Sequence, residues 1–199
     1  MRIRWAIAIL GVAALAALTV TTQMPWLTRN EPAMERAAAP SAEGGDEGGV
    51  SSAPLTCPAD AKSANLDFTF KDVDNRDISL ADYKGKVILL DFWATWCAPC
   101  KVEIPHFIEF QEKYGKQGLQ IVGVSMDDSM ADVGPYVREM KMNYPVLHVG
   151  DLQARLDEAF GPIVGIPVSV MISRDAKICA THSGLTGRDV FEREIKALL

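Results

Sequence analysis

Cys97 and Cys100 stand three residues apart, directly after the apolar run Val87-Ile88-Leu89-Leu90-Asp91-Phe92 and the link Trp93-Ala94-Thr95-Trp96. Two thiols at that spacing, where a buried strand gives way to a helix, form the reactive pair of a dithiol–disulfide exchanger. The reason is electrostatic. The first sulfur caps the helix N-terminus, so backbone N–H groups and the positive end of the helix dipole stabilise its thiolate, which is the attacking species. The second sulfur lies one turn on, close enough to close a disulfide. Pro99 falls in the first helical turn, where a missing N–H is not felt. Cys97 is therefore the expected nucleophile and the more exposed sulfur, and Cys100 the resolving thiol, buried against the helix. The alternatives are a permanent disulfide or half of a zinc site. Zinc needs two further Cys or His ligands, and Cys57, Cys179, His106, His148 and His182 have no ligand spacing. No metal is expected.

Asp91 lies six residues before Cys97 in the same apolar run. A carboxylate buried there has its pKa raised by desolvation, which suits it to carry the proton of the resolving thiol. The aromatic pair Trp93 and Trp96 reads first as packing; Trp96 is also placed to shield the disulfide and to contact a partner.

Residues 91 to 105, Asp-Phe-Trp-Ala-Thr-Trp-Cys-Ala-Pro-Cys-Lys-Val-Glu-Ile-Pro, resemble the active-site stretch of thioredoxin-fold proteins. The tail Cys-x-x-Cys-x-x-Glu-x-Pro is similar to the membrane-anchored TlpA/ResA type. The resemblance runs from about Leu66 to the C-terminus. The Phe-Trp-Ala-Thr-Trp lead-in and Gly165-Ile166-Pro167 make it specific, whereas a bare Cys-x-x-Cys also occurs in zinc ribbons. It implies that Glu103 is an active-site glutamate, the alternative being a solvated charge on a helix face. It implies that Pro167 follows a cis peptide bond and faces the cysteine pair. Ile166 would then offer its backbone to an extended substrate segment. The alternative is an ordinary trans proline opening an edge strand. Related membrane-anchored proteins often carry Asn where this chain has Asp91, a departure that brings the site closer to plain thioredoxin.

The function the resemblance implies is a membrane-tethered thiol–disulfide oxidoreductase that needs no cofactor. It would reduce selected protein disulfides, such as those of apocytochrome c or a copper-site protein, in cytochrome c maturation or oxidase assembly. A transmembrane electron donor would recharge it. Two other classes compete with this one. A thiol peroxidase needs Pro-x-x-x-Thr/Ser-x-x-Cys around its nucleophile, and Leu90 and Ala94 hold those positions here. A copper-binding assembly protein would use Cys97, Cys100 and His182, but related carriers space their cysteines further apart.

The elements that must position these residues follow from periodicity and turn chemistry. Asp67–Phe70 and Ile78–Leu80 flank a polar turn and read as a β-hairpin. Val87–Phe92 is a continuous apolar strand, as expected for a central strand covered on both faces. A helix runs from about Ala98 to Lys113, bent at Pro105, and Leu119–Val124 is the next buried strand. Ser129–Met142 is a helix whose start Gly134-Pro135 disturbs. Pro145–Val149 is a short strand, and Leu152, Leu156, Ala159 and Phe160 share one helical face. Val168–Ile172 and Lys177–His182 form a hairpin, and Phe191, Ile195 and Leu198 mark a C-terminal amphipathic helix. The fold class is α/β: the element order fits a three-layer sheet and resembles the thioredoxin-like fold. It carries an N-terminal β-hairpin extension and an insertion, residues 126 to 160, after the second core strand.

The remaining organisation is terminal. Residues 1–27 read as a membrane anchor or a signal. Arg2 and Arg4 precede an uncharged stretch from Trp5 to Val20, which with Thr21 and Thr22 can cross a bilayer core. No clean Ala-x-Ala site closes it, so an uncleaved anchor is favoured, and either reading exports the rest. Residues 28–60, rich in Ala, Gly, Ser, Pro and Glu, form a flexible linker with a reach on the order of 30 Å. Residues 61–199 form one domain. Taken with the resemblance, this implies a catalytic domain in the periplasm of a bacterium, held at the inner membrane, or an exported one. The chain's formal net charge is −6 with no basic stripe, which argues against nucleic acid as a ligand. In an oxidising compartment the leftover pair Cys57 and Cys179 suggests a bridge pinning the linker's end to the sheet; two free or buried thiols are the alternative.

Overall fold

Seven strands and four α-helices follow one another in residues 57–199, the part of the chain that the computed structural model describes. A two-stranded hairpin pairs β1 (Thr69–Lys71) with β2 (Asp77–Ser79). The main sheet has the order β5-β4-β3-β6-β7. Its members are β3 (Val87–Trp93), β4 (Leu119–Ser125), β5 (Val146–His148), β6 (Val168–Ile172) and β7 (Ile178–Ser183). β3, β4 and β5 run parallel, while β6 is antiparallel to both β3 and β7. The helices are α1 (Ala98–Tyr114), α2 (Met130–Met140), α3 (Gln153–Phe160) and α4 (Arg188–Leu198).

Every residue of β3 and β4 is buried, because layers cover the sheet on both faces. Val87, Leu89 and Trp93 point one way, into a core with Ile104, Phe107 and Phe110 of α1, Val133 of α2, and Phe191 and Ile195 of α4. Ile88, Leu90 and Phe92 point the other way, onto Phe68 and Phe70 of the hairpin and Leu156 and Phe160 of α3. The result is the three-layer thioredoxin-like arrangement.

Local chemistry sets the element ends. α1 buries Cys100, Glu103, Ile104, Phe107, Phe110 and Tyr114, the spacing of a single helical face, and runs unbroken through Pro105. α2 likewise passes through Gly134-Pro135. Its start is secured at Ser129, whose hydroxyl accepts the Ala131 N–H at 3.1 Å. Within residues 126–160, β5 extends the sheet beyond β4 and α3 covers the far face.

At the opposite edge, residues 62–64 close β7. Ile178 N–H donates to the Lys62 carbonyl at 2.9 Å and Ala64 N–H to that of Ala176 at 2.8 Å. Cys57 is joined to Cys179 by a disulfide with Cα atoms 4.5 Å apart. The segment read as an anchor or signal, 1–27, and all of the linker before Cys57 lie outside the described residues. Among the described residues no helix is long and apolar enough to cross a membrane.

Candidate active site

β3 leads straight into the reactive pair. After Trp93 the chain turns, with Cys97 N–H donating to the Ala94 carbonyl at 3.1 Å, and α1 begins. Cys97 is the N-cap, in extended conformation at φ −79° and ψ 105°, and its Sγ accepts the Cys100 N–H at 3.3 Å. An N–H pointed at that sulfur from the first helical turn favours its thiolate. Cys97 and Cys100 are joined as a disulfide, with Cα atoms 5.3 Å apart. They are 4% and 1% exposed, so Cys97 is the more open of two well-covered sulfurs. Trp96, beside them, is 68% exposed.

A residue that the sequence analysis did not single out holds this turn in place. The carboxylate of Asp127 accepts from the Thr95 N–H at 3.0 Å, the Thr95 hydroxyl at 2.5 Å and the Ser125 hydroxyl at 2.8 Å. The His148 ring meets the Asp127 carbonyl at 2.9 Å. Asp127 follows the end of β4, which lies beside the end of β3 in a parallel pair, so strand pairing brings it to Thr95. The available signal was an Asp two residues past a core strand, next to the strand that feeds the cysteines.

Asp91 is 1% exposed, and the Ser169 hydroxyl donates to its Oδ1 at 3.2 Å. Burial holds its carboxyl well above the usual carboxylate range, and the nearby Glu103 charge adds to that, while the Ser169 bond opposes it. Glu103 is equally buried, not a solvated helix-face charge. Its Oε1 accepts the Thr186 N–H at 2.7 Å. Burial raises the Glu103 pKa, opposed by the Thr186 N–H and by His182.

Across the sheet Asp91 is aligned with Gly123. A Cβ at Gly123 would lie 2.9 Å from the Trp93 indole nitrogen, so the indole packs where only glycine leaves room. Tyr144 closes the same region; burial first and Asp91 second push its hydroxyl well above the ordinary tyrosine range.

The Ile166–Pro167 peptide bond is cis. Ile166 packs against the core cluster that holds both cysteines, and the Pro167 carbonyl accepts the Gly184 N–H at 2.8 Å. The exposed large apolar side chains Trp96, Val102, Val164 and Leu185 all flank site segments: the cysteine turn, the first turns of α1, the proline loop and the loop reaching Glu103. Among the described residues no group of three or more His, Cys, Asp or Glu side chains could hold a metal ion.

A cysteine pair capping a helix at the end of a central parallel strand, with a cis-proline loop on the adjoining strand, defines a thioredoxin-fold thiol–disulfide oxidoreductase. The chain belongs to the AhpC/TSA family, which matches residues 62–181. Among the relatives is the thiol-disulfide oxidoreductase ResA of Bacillus thuringiensis subsp. konkukian (strain 97-27). It is 29% identical over 131 residues, covering 66% of this chain and 74% of that protein. The fold is similar to a thiol:disulfide interchange protein of the thioredoxin family from Chlorobium tepidum TLS. That match has a TM-score of 0.63 and 30% identity, covering 70% of this chain and 99% of that one. The thioredoxin domain of a thiol-disulfide oxidoreductase from Bacteroides vulgatus matches with a TM-score of 0.60 and 26% identity, covering 69% and 99%. The substrates of such an enzyme are protein thiols and disulfides.

Proposed function

We propose that this oxidoreductase works as a reductant of selected protein disulfides, with Cys97 attacking and Cys100 resolving. The Cys97 thiolate attacks one sulfur of a partner disulfide; a mixed disulfide forms, and the partner's other sulfur leaves as a thiolate and takes a proton. Cys100 then gives its proton to Asp91 and attacks the Cys97 sulfur. The mixed bond breaks, the partner's second sulfur leaves as a thiolate and takes up the proton held by Asp91, and the Cys97–Cys100 disulfide remains. Glu103 sets the charge that Asp91 meets. Trp96, Ile166 and Pro167 form the surface that receives the partner segment, with the Ile166 backbone pairing to it as an added strand. The observation that carries the reading is the Cys97 sulfur at the helix cap, accepting the Cys100 N–H with Asp91 buried behind it.

The partner class follows from the sequence resemblance: apocytochrome c or a copper-site protein, with a transmembrane donor returning the cysteines to the thiol state. The uncharged stretch from Trp5 to Val20 behind Arg2 and Arg4 supports tethering at the inner membrane with the catalytic domain outside. The Cys57–Cys179 bridge then fastens the tether's end to β7, and non-reducing peptide mapping should recover those two residues in one cross-linked fragment.

The test is trapping. Cys100→Ser should hold partners as mixed disulfides on Cys97, while Cys97→Ser should hold none. Equal trapping by both variants would overturn the assignment of the nucleophile. Insulin reduction with dithiothreitol, set against copper titration of the reduced chain, separates this reading from a copper carrier. The reduction potential decides its direction, since about 30 mV corresponds to 1.4 kcal/mol for a two-electron couple.

A further inference from the structure

Four residues, Gly184 to Gly187, join the end of β7 to the start of α4, and two of their N–H groups reach parts of the site that lie on different elements. Gly184 N–H donates to the Pro167 carbonyl at 2.8 Å. Thr186 N–H donates to Glu103 Oε1 at 2.7 Å. One short loop therefore holds the proline loop at one end and α1 at the other. Its shape is fixed from within. Ser183, just before it, is paired in register with Val168 of β6. Gly184 adopts φ 82°, a left-handed conformation natural to glycine. The Thr186 hydroxyl donates to the Gly184 carbonyl at 3.2 Å, and the Gly187 carbonyl accepts the Val190 N–H at 3.0 Å as α4 begins.

Glu103 depends on this loop. Its Oε2 is buried with no hydrogen-bond partner, so the Thr186 N–H is the one donor to that buried carboxyl among the described residues. Burial disfavours the charged form of a carboxyl, and a hydrogen bond to that form opposes the effect. Glu103 also follows Cys100 by three residues on one buried helical face, a spacing that puts Cβ atoms about 5–6 Å apart. When ionised it sets a negative charge beside the resolving thiol, where a thiolate is then disfavoured.

We propose that the Gly184–Thr186 loop is a positioning bracket of the exchange site: anchored on Pro167 through Gly184, it holds the Glu103 carboxyl through the Thr186 N–H, and so ties the group beside Cys100 to the loop that receives the partner. Thr186 is the positioning residue and Gly184 its anchor. The proposal rests on the roles given above to Glu103, Cys100 and Pro167. The groups that bear on Glu103 are Cys97, Cys100 and His106 on its own helix, Asp91 on β3, and His182 on β7 with Glu194 of α4 behind it. Every one of them keeps its side chain when the loop's N–H groups are removed, so the contribution of the bracket can be read separately from theirs.

The experiment replaces single peptide bonds by esters, each deleting one N–H while keeping every side chain. Cys179 lets residues 179–199 be made synthetically and ligated to the rest of the chain with no change of sequence. With the expressed part labelled at glutamate, the Glu103 carboxyl carbon is titrated by NMR in the full-length chain, and Glu103→Gln assigns its signal. An ester between Leu185 and Thr186 should move the Glu103 midpoint up by about one to two pH units, as expected for loss of a hydrogen bond to a charged group. An ester between Ser183 and Gly184 leaves the Thr186 N–H in place and should move the midpoint the same way by less, because the loop is then loose at its far end. The pH profile of Cys100 resolution should move to lower pH in both. Thr186→Val keeps the N–H and loses the hydroxyl, and should shift the Glu103 midpoint less than the Thr186 ester does. An unmoved midpoint in the Thr186 ester, or an equal shift in Thr186→Val, would reduce the loop to packing between β7 and α4. An unmoved midpoint in the Gly184 ester would overturn the link to Pro167. Thr186→Pro serves as a second variant without the N–H if the ester chain does not fold. The titration requires no turnover. A missing shift in a chain whose Cys100→Ser form still traps partners therefore sinks this inference alone, and a clear shift in a chain that traps none sinks the functional reading instead.

Discussion

The two faces of the central sheet are built from alternate residues of the same strands, yet they solve different problems. On the hairpin and α3 side, β3 presents Ile88, Leu90 and Phe92, and β6 presents Val168, Val170 and Ile172, so neither strand places an ionisable group on that face. On the α1 and α4 side the same strands present Asp91 and Ser169, and the helices add Glu103 and Glu194, all of them buried. The first face stabilises the fold by area, at roughly 25 cal/mol per Å² of apolar surface removed from water. The second gives up part of that gain to keep carboxylates dry near the cysteines, and burial raises the pKa values of Asp91 and Glu103. Both faces carry an apolar core, and only the one beneath α1 and α4 also holds buried carboxylates.

The sharpest way to break this division is on the apolar face. Phe92→Ala should cost about 3–5 kcal/mol of stability, since it empties a site packed against Phe160. Denaturant midpoints measure the loss, and the molecules that remain folded should exchange disulfides as before.

Asp91→Asn, one residue earlier and on the other face, should act with opposite sign on stability. The folded-state pKa of Asp91 is raised, so its contribution is fully present below the ordinary Asp range and is lost as pH rises toward the folded value. Removing the acid should therefore stabilise the chain at neutral pH, by about 1.4 kcal/mol for each unit of displacement lying below the working pH. The gain should vanish near pH 3. Resolution of the mixed disulfide should slow by up to about 10²-fold, as for loss of a general base. A gain over the native chain that is no larger at pH 7 than at pH 3 would return Asp91 to plain structure.

Asp127→Ala tests the rim between the faces. It leaves the Thr95 N–H, the Thr95 hydroxyl and the Ser125 hydroxyl without their acceptor, at a cost of about 1–3 kcal/mol. Amide exchange at Thr95–Cys97 should accelerate and the reduction potential should shift, while Asp91→Asn leaves amide exchange in that turn unchanged.

The smallest effect is expected at Glu192, which ties α4 to α1 above the polar face. Hydrogen bonds from Lys113 and Tyr114 lower its carboxyl to about 2. Its contribution is present above the ordinary Glu range and is lost as pH falls toward that value. Glu192→Gln should be slightly less stable than the native chain at pH 7, and the difference should close on acidification, as thermal melts against pH would show.

Much of this architecture was legible in the residues. The apolar runs of β3 and β4, the 3.6-residue spacing of α1 and the Cys97–Cys100 step are written by side chains within a few positions of one another. So was the burial of Asp91, since a lone carboxylate inside a run such as Val87–Phe92 has no solvent to reach. Helix periodicity, by contrast, could not say whether Glu103 faced water. That depended on the Thr186 loop, 83 residues away, folding back over α1.

The sequence by itself determined the cysteine pair, the order of the elements and which strand feeds the cysteines, because each of these follows from local periodicity and capping. The tertiary structure alone decided the Asp127 clamp on Thr95 and the Ser169 bond to Asp91. Strand register makes those contacts across separations of 32 residues for the first and 78 for the second, and no local rule encodes the partner of a strand. Pairing between distant segments is settled by which arrangement buries the whole core at once, and these polar contacts are a product of that settlement.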